Sequence, residues 1–253
     1  MTWSAPNLPQ KKHCFFGRKG GVSEGIYQSL NANFKSRDSK ENIRRNCEII
    51  AAHYDLKYDN ILRLNQGISN KCVFVTQASQ NQIEADGAVT TTPGIILCIG
   101  TADCAPILLA DYKNGVIGAA HAGWRGAFAG IIENTVRLML QHGAEIANLA
   151  AAVGPCIQQP SCEMGSEVLE QFLSQDQKNQ KYFIPAPRPE HYLFDLSAYA
   201  ADKLRRLGIQ NIAVSKDDTY ADSENYFSYR RNTHLGLIRF PADFPVELST
   251  ITL

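Results

Sequence analysis

The sequence of 253 residues lacks a long apolar segment. No run approaches the roughly 20 apolar residues that a bilayer-spanning helix needs. Residues 1–12 contain prolines and lysines but no hydrophobic core of a secretory signal. We therefore expect a cytoplasmic protein without a membrane partner.

The chain also lacks net charge, because 25 basic residues balance 25 acidic ones. A neutral chain has no overall field that would attract phosphate backbones. We therefore expect no nucleic-acid partner.

The seven cysteines are odd in number and lack the spacing of a secreted disulfide framework. We expect reduced thiols, of which one or two take part in chemistry.

The length and the 44% hydrophobic content allow one large core or two small ones. Neither a repeat nor a linker separates two halves of the sequence, and this favours a single domain over 1–253. Apolar runs predict strands at residues 61–64, 72–75, 94–100, 106–110, 115–120, 209–215 and 235–240.

Helical patterns alternate irregularly with these strands. One follows Ser39, a good cap, and places Ile43, Cys47, Ile50 and Ala51 on one face. Others cover 127–141 and the stretch from Asp195 to Gly208. Residues 174–190, rich in Gln, Lys and Pro, are expected to form an exposed excursion without chemistry. The pattern predicts an α/β fold, a single mixed-sheet domain with flanking helices.

Cys104 and His121 are the leading candidates for reactive groups. Each follows an apolar strand, 94–100 and 115–120, and the two side chains would converge if these strands were neighbours in one sheet. Such a pair could share a metal ion, or the imidazole could accept the thiol proton. Packing of Cys104 in the core and a structural role for His121 are the ordinary alternatives. Asp103 could be a ligand, a base or a turn former.

A helix is predicted to open just after His121, where the loop contains Gly123, Arg125 and Gly126. Helix N-termini attract anions, and glycines allow close approach to the backbone. The loop therefore predicts a phosphate site at Arg125 and Gly126. Arg18 and Arg230 are further candidates for the same pocket.

The segments 101–109 (TADCAPILL) and 121–126 (HAGWRG) resemble the two central motifs of the YfiH family, also called laccase-domain or multicopper polyphenol oxidoreductase-like proteins. The resemblance extends to 18–31, 85–88 (ADGA), 154–157 (GPCI) and 227–231 (FSYRR). It implies a single YfiH-like α/β domain with a Cys-His-His metal site, generally zinc and sometimes copper. Activities attributed to the family include phosphorolysis of adenosine, inosine and methylthioadenosine, adenosine deamination, polyphenol oxidation and editing of peptidoglycan precursors.

The sequence departs from the family pattern at the first metal histidine. Aligned without a gap, Ile68 in the segment 65–70 (NQGISN) occupies that position, and a slip would offer Gln66, a poor zinc ligand. Cys104 and His121 remain as metal ligands, and weaker metal binding or activity is expected. Other departures lie at Cys47, Asp218 and Leu237.

Several functions stay open. The first is a purine nucleoside phosphorylase with adenosine deaminase activity, whose catalytic residues are Cys104 and His121 and whose partners are a nucleoside and phosphate. A copper-dependent polyphenol oxidase fits less well, because the other five of the six histidines lack ligand-like spacing. A cysteine-dependent amidase acting on peptidoglycan precursors would use Cys104 as nucleophile and His121 as base. The last alternative is a binding protein without catalysis.

Overall fold

The computed structural model describes residues 2–79 and 83–253. Its strands, in chain order, are β1 (Thr2–Trp3), β2 (His13–Phe16), β3 (Leu64–Asn65), β4 (Cys72–Phe74), β5 (Ile83–Glu84), β6 (Gly87–Thr90), β7 (Leu97–Thr101), β8 (Ala105–Asp111), β9 (Val116–Ala122), β10 (Ala150–Val153), β11 (Glu163–Gly165), β12 (Phe183–Pro185), β13 (His191–Phe194), β14 (Asn211–Val214) and β15 (Glu247–Ile251). The α-helices are α1 (Lys40–Ala52), α2 (Trp124–Ala129), α3 (Ile131–Gln141), α4 (Ser166–Gln175), α5 (Leu196–Arg206) and α6 (Tyr229–His234).

A six-stranded mixed sheet in the order β14-β10-β8-β9-β6-β4 forms the centre of the molecule. Its middle strands β8 and β9 run antiparallel, and every residue of both is buried. They confirm the strands predicted at 106–110 and 115–120. The mixed α/β class is confirmed as well.

Successive residues of this sheet pack on opposite faces, as the alternation of side chains in a strand requires. In β8, Ile107 and Leu109 join the core beneath the helices, whereas Leu108 joins the core that contains residues of β7 and β15. Both faces are therefore covered, which explains why the strands are apolar throughout rather than alternating. The proposal of one domain rests on this shared sheet.

A second sheet has the order β1-β2-β15-β7. The strand predicted at 235–240 was wrong: these residues form a turn and an irregular segment, and the last strand is β15. Leu235, Leu237 and Phe240 are exposed, so the apolar run that suggested a strand has no core to join. The prediction of a strand at 61–64 was also wrong, because β3 begins only at Leu64, the last residue of that run.

The helix after Ser39 is confirmed as α1, with the predicted apolar face buried and the Ser39 side chain accepting from the Asn42 amide. The predicted helix over 127–141 is instead two helices. Gly130, with φ of +95°, interrupts it and separates α2 from α3. The helix after Asp195 is confirmed as α5, and Gly208 ends it with φ of +94°.

The segment 174–190 is not a wholly exposed excursion. Tyr182 and Phe183 are buried, and β12 pairs with β13 in a small sheet of β11, β13 and β12. The aromatic side chains drive this packing. The Gln and Lys residues around them led to the prediction of an exposed segment. Within the described part of the chain, the helices lack the length and apolarity needed to cross a bilayer.

Candidate active site at Cys104 and His121

The β8-β9 pair brings Cys104 and His121 together. Cys104 directly precedes β8, and His121 lies opposite Pro106 near the end of β9. The two side chains therefore converge because Cys104 precedes β8, the strand that pairs with β9. The expectation that the strand before Cys104 would be the neighbour was wrong, because β7 belongs to the other sheet. An antiparallel pair places the start of one strand beside the end of the other.

The side chains of Cys104 and His121 share a hydrogen bond. Gly123 borders both, since a Cβ on it would lie 2.8 Å from Cys104 Sγ and 3.8 Å from His121 Nε2. Cys104 is partly exposed, while His121 is 7% exposed. A thiol and an imidazole in contact at a partly open position can exchange a proton and act on a bound molecule.

Asp86 completes the arrangement on the far side of His121. His121 Nδ1 lies 2.8 Å from Asp86 Oδ1, and the His121 amide donates to the Asp86 carbonyl at 2.7 Å. Burial would lower the pKa of His121, but Cys104 and Asp86 outweigh it and raise the pKa to about 10. Cys104 and Asp86 therefore both favour the protonated form of the imidazole.

Asp86 is held by the loop that follows β3. Its carboxylate accepts from the amides of Gly67, Ile68 and Ser69 at 3.2, 3.1 and 2.6 Å, and from Ser69 Oγ at 2.7 Å. Burial would raise the pKa of Asp86, yet the hydrogen bonds from His121 and Ser69 lower it to about 2. Asp86 was not among the residues predicted from the sequence, although it lies inside the segment 85–88 that resembles a family motif.

Ile68 lies next to this carboxylate in the left-handed region, with φ of +62°. A β-branched side chain is rarely found there. The side chain is 50% exposed, so Ile68 does not pack into the core. Its amide binds the same Asp86 that binds His121, which places position 68 beside the site.

Gln66 is not available as a substitute ligand. Its Nε2 donates to the Gly100 carbonyl, and its Oε1 accepts from the Gly100 amide, both at 2.8 Å. Both ends of the side-chain amide therefore bind backbone.

Asp103 is an anchor for the turn that presents Cys104. It has φ of +92°, and its two carboxylate oxygens accept from Thr219 Oγ1 at 2.8 Å and from the Arg230 amide at 2.7 Å. Burial raises the pKa of Asp103, and the Arg230 amide opposes this only in part. The contacts favour the turn-forming role over that of a ligand or base.

The arginines predicted for phosphate lie in different surroundings. Arg18 donates to the carbonyls of Gln28 and Ser223, and Arg230 donates from its side chain to the Glu163 carbonyl. Arg125 is exposed and covers the ring of Trp124 at 4.2 Å.

Arg125 lines a cavity of about 220 Å³ whose other walls are Trp124, Phe128, Glu167, Val168 and Gln171. Neither Cys104 nor His121 belongs to that lining. Gly126 packs against the loop that holds Asp86, since a Cβ on it would lie 3.2 Å from the Ser69 carbonyl oxygen. Gly126 is the third residue of α2, a helix of six residues that begins at Trp124. The phosphate assignment stays a prediction.

The remaining cysteines serve packing. All seven are free of disulfide bonds in the structure, and their reduced state stays a prediction. Burial raises the pKa of Cys72 to about 11 and that of Cys162 to about 12.

Three further positions depart from the family pattern. Of these, Cys47 is buried, Asp218 accepts a hydrogen bond from Ser161 Oγ at 2.6 Å, and Leu237 is exposed.

The metal that the family resemblance implies does not fit these residues. Cys104 and His121 supply two donors, Ile68 supplies none, and the Asp86 oxygens are occupied by hydrogen bonds. Across residues 2–79 and 83–253, no three His, Cys, Asp or Glu side chains are grouped to hold an ion. Catalytic zinc ordinarily uses three protein ligands. Each of the other five histidines contacts a different part of the protein: His13 contacts Ala5, His53 contacts Phe16, His142 contacts Phe74, His191 contacts Pro189 and His234 contacts Tyr220.

Comparison with known proteins agrees with this architecture. Residues 12–239 match the profile of a family described as multi-copper polyphenol oxidoreductase laccase. The chain is 41% identical over 179 residues to a purine nucleoside phosphorylase of Rickettsia conorii, covering 71% of this chain and 74% of that protein. It is 32% identical over 234 residues to purine nucleoside phosphorylase YfiH of Escherichia coli, covering 91% and 94%. The crystal structure of Neisseria meningitidis protein NMB0706 superposes with a TM-score of 0.88 at 30% identity, covering 100% and 98%.

Proposed function

Because this chain belongs to the multi-copper polyphenol oxidoreductase laccase family, also known as the YfiH family, we propose that it is a purine nucleoside phosphorylase. The observation that carries the proposal is the position of the His121 imidazole, held between Asp86 and Cys104 at a partly open position. The proposed substrates are inosine, adenosine or methylthioadenosine together with phosphate. Relatives named purine nucleoside phosphorylase support the same reaction class.

In phosphorolysis, a phosphate oxygen forms a bond to C1′ of the sugar while the bond from C1′ to the purine nitrogen breaks. The departing base needs a proton, and the His121 imidazolium is the proposed donor. Hydrogen phosphate gives its own proton back to His121, so the site returns to its starting state. In this proposal Asp86 keeps Nδ1 protonated, and Nε2, which lies toward Cys104, exchanges that contact for the proton transfer.

Phosphate needs a cationic partner, and Arg125 is the proposed one. Its guanidinium is exposed and stacks on Trp124, whereas those of Arg18 and Arg230 already bind carbonyl oxygens. An arginine that binds phosphate commonly uses two parallel hydrogen bonds. Gly126, Arg18 and Arg230 remain secondary candidates.

Adenosine deamination and zinc or copper binding fit these residues less well than phosphorolysis does. Deamination requires an activated water, for which a metal ion with three protein ligands is the usual source. Because Cys104 and His121 do not complete such a ligand set, the residues favour phosphorolysis over deamination. Polyphenol oxidation would need copper ligands in addition to Cys104 and His121, and the site does not supply them.

A second candidate, cysteine-dependent amide hydrolysis on cell-wall precursors, is favoured by the order Cys104, His121, Asp86. A thiol next to an imidazole that a carboxylate orients is the arrangement of cysteine hydrolases. In that reaction, Cys104 sulfur would bond to the amide carbon and His121 would protonate the leaving amine. Water would then release the acid from the thioester.

One assay separates these candidates. The purified chain is incubated with inosine, with and without inorganic phosphate, and free base and ribose 1-phosphate are measured. We expect equal amounts of both products in the presence of phosphate, and their loss in His121→Gln. Release of base that does not depend on phosphate, or no release from inosine, adenosine and methylthioadenosine alike, would contradict the proposal.

A further inference from the structure

We propose that the site works without a bound metal ion, and that Asp86 is the positioning residue that prepares His121 for this metal-free chemistry. The role of Asp86 in turnover rests on the proposed phosphorylase function. The metal-free character of the site does not, because ion binding can be measured without any substrate.

His121 has both ring nitrogens engaged by protein. Nδ1 binds Asp86, and the remaining nitrogen, Nε2, lies toward Cys104, with which the side chain shares its second hydrogen bond. A bound ion would therefore displace an existing contact of the imidazole.

No neighbouring side chain completes a ligand set around Cys104 and His121. The Asp103 oxygens accept from Thr219 and Arg230. Gln66 is tied at both ends to Gly100. Position 68, the one beside the Asp86 carboxylate, is isoleucine. A centre with two protein ligands binds zinc weakly compared with the usual three or four.

In the absence of a metal ion, Asp86 is the group that orients the His121 imidazole. Three successive amides, from Gly67 to Ser69, and one hydroxyl fix its carboxylate, so the oxygen facing His121 has a set direction. A fixed carboxylate holds the orientation of the imidazole ring. The strained backbone at Ile68 is part of this support, because φ of +62° lets the three amides converge.

The first test detects a bound ion through the reactivity of the Cys104 thiol. The chain is dialysed against a chelator, and the rate at which iodoacetamide alkylates Cys104 is then followed with and without one equivalent of Zn²⁺. Cys72, partly exposed and outside the site, is the internal reference. We expect zinc to leave both rates unchanged. Selective protection of Cys104 by about tenfold or more, the sign of a bound ion, would overturn the proposal.

The second test addresses Asp86. In Asp86→Asn we expect kcat for inosine phosphorolysis to fall by about 100-fold, with a small change in KM, and chelated wild type to keep its activity. The tautomer and charge of His121, followed by ¹⁵N NMR of the ring, should change in the same variant. An unchanged ring signal in a folded Asp86→Asn protein, or wild-type activity that chelation removes and zinc restores, contradicts the proposal. If wild type lacks phosphorolysis altogether, the proposed function fails, while the zinc and NMR measurements still decide this inference.

Discussion

Asp86 and His121 are joined twice, although they lie 35 positions apart in the sequence: side chain to side chain at 2.8 Å, and backbone amide to carbonyl at 2.7 Å. The backbone bond continues the pairing of β6 with β9. The two strands therefore set the distance at which the carboxylate can reach the ring. The site depends on the sheet as much as on the loop that carries Ile68.

This pair should give the protein a stability maximum between acidic and strongly alkaline pH. The pKa of His121 is raised to about 10, so its contribution is complete below pH 6.5 and is lost as the pH rises through 10. The pKa of Asp86 is lowered to about 2, so its contribution is present above pH 3.8 and is lost as the pH falls through 2. Urea unfolding should show a loss of at least about 1 kcal/mol between pH 7 and pH 10. In His121→Gln this alkaline loss should be smaller, and an equal loss in both proteins would contradict the assignment.

Ile68→Asn should stabilise the protein. An isoleucine at φ of +62° carries strain of about 1 kcal/mol, which asparagine relieves, and the half-exposed side chain gives up little buried surface. We expect the free energy of unfolding to rise by about 1 kcal/mol. Ile49→Asn, at an exposed helical position of α1, is the matched control and should not stabilise. A destabilised Ile68→Asn protein would show that the side chain contributes more by packing than it costs by strain.

Gly123→Ala should disturb Cys104 without removing any polar group. The added Cβ would lie 2.8 Å from Cys104 Sγ, which is closer than real contacts allow, so the sulfur must shift. We expect a loss of stability of about 1–3 kcal/mol and a changed alkylation rate of Cys104. Thermal unfolding and iodoacetamide labelling measure the two effects. Wild-type values for both would mean that Gly123 does not constrain the sulfur.

Arg125→Ala should weaken phosphate binding, whereas Arg18→Ala should lower stability. Loss of the exposed Arg125 guanidinium should raise the KM for phosphate by about tenfold, or about 1.4 kcal/mol, with stability unchanged. Loss of Arg18, which binds two backbone carbonyls, should lower the free energy of unfolding by about 1–3 kcal/mol. Arg45→Ala on the distant helix α1 controls for the loss of one surface charge. Phosphate binding that is unaffected in Arg125→Ala would remove Arg125 from the site.

The central strands could be predicted because they are buried on both faces and therefore read as unbroken apolar runs. The same reasoning failed at 235–240, where the apolar side chains are exposed. It also missed the break at Gly130, since a glycine inside a helical pattern does not reveal whether its φ will be positive.

The Cys104–His121 pair was predicted with an incorrect neighbouring strand, because sequence alone does not assign strands to sheets. Asp86 could not be assigned from local pattern. Its role depends on a loop, a strand edge and a histidine that come together only in the fold.

Zinc titration of wild type, Ile68→His and Ile68→Ala at one pH tests the central claim that this site is metal-free because position 68 supplies no ligand. Histidine is better tolerated than isoleucine at positive φ, so the variant should keep the loop in place. We predict weak zinc binding by wild type and Ile68→Ala, and clearly tighter binding by Ile68→His, whose imidazole would complete three protein ligands with Cys104 and His121. Tight zinc binding by the wild type, or the same affinity in all three proteins, would contradict the account.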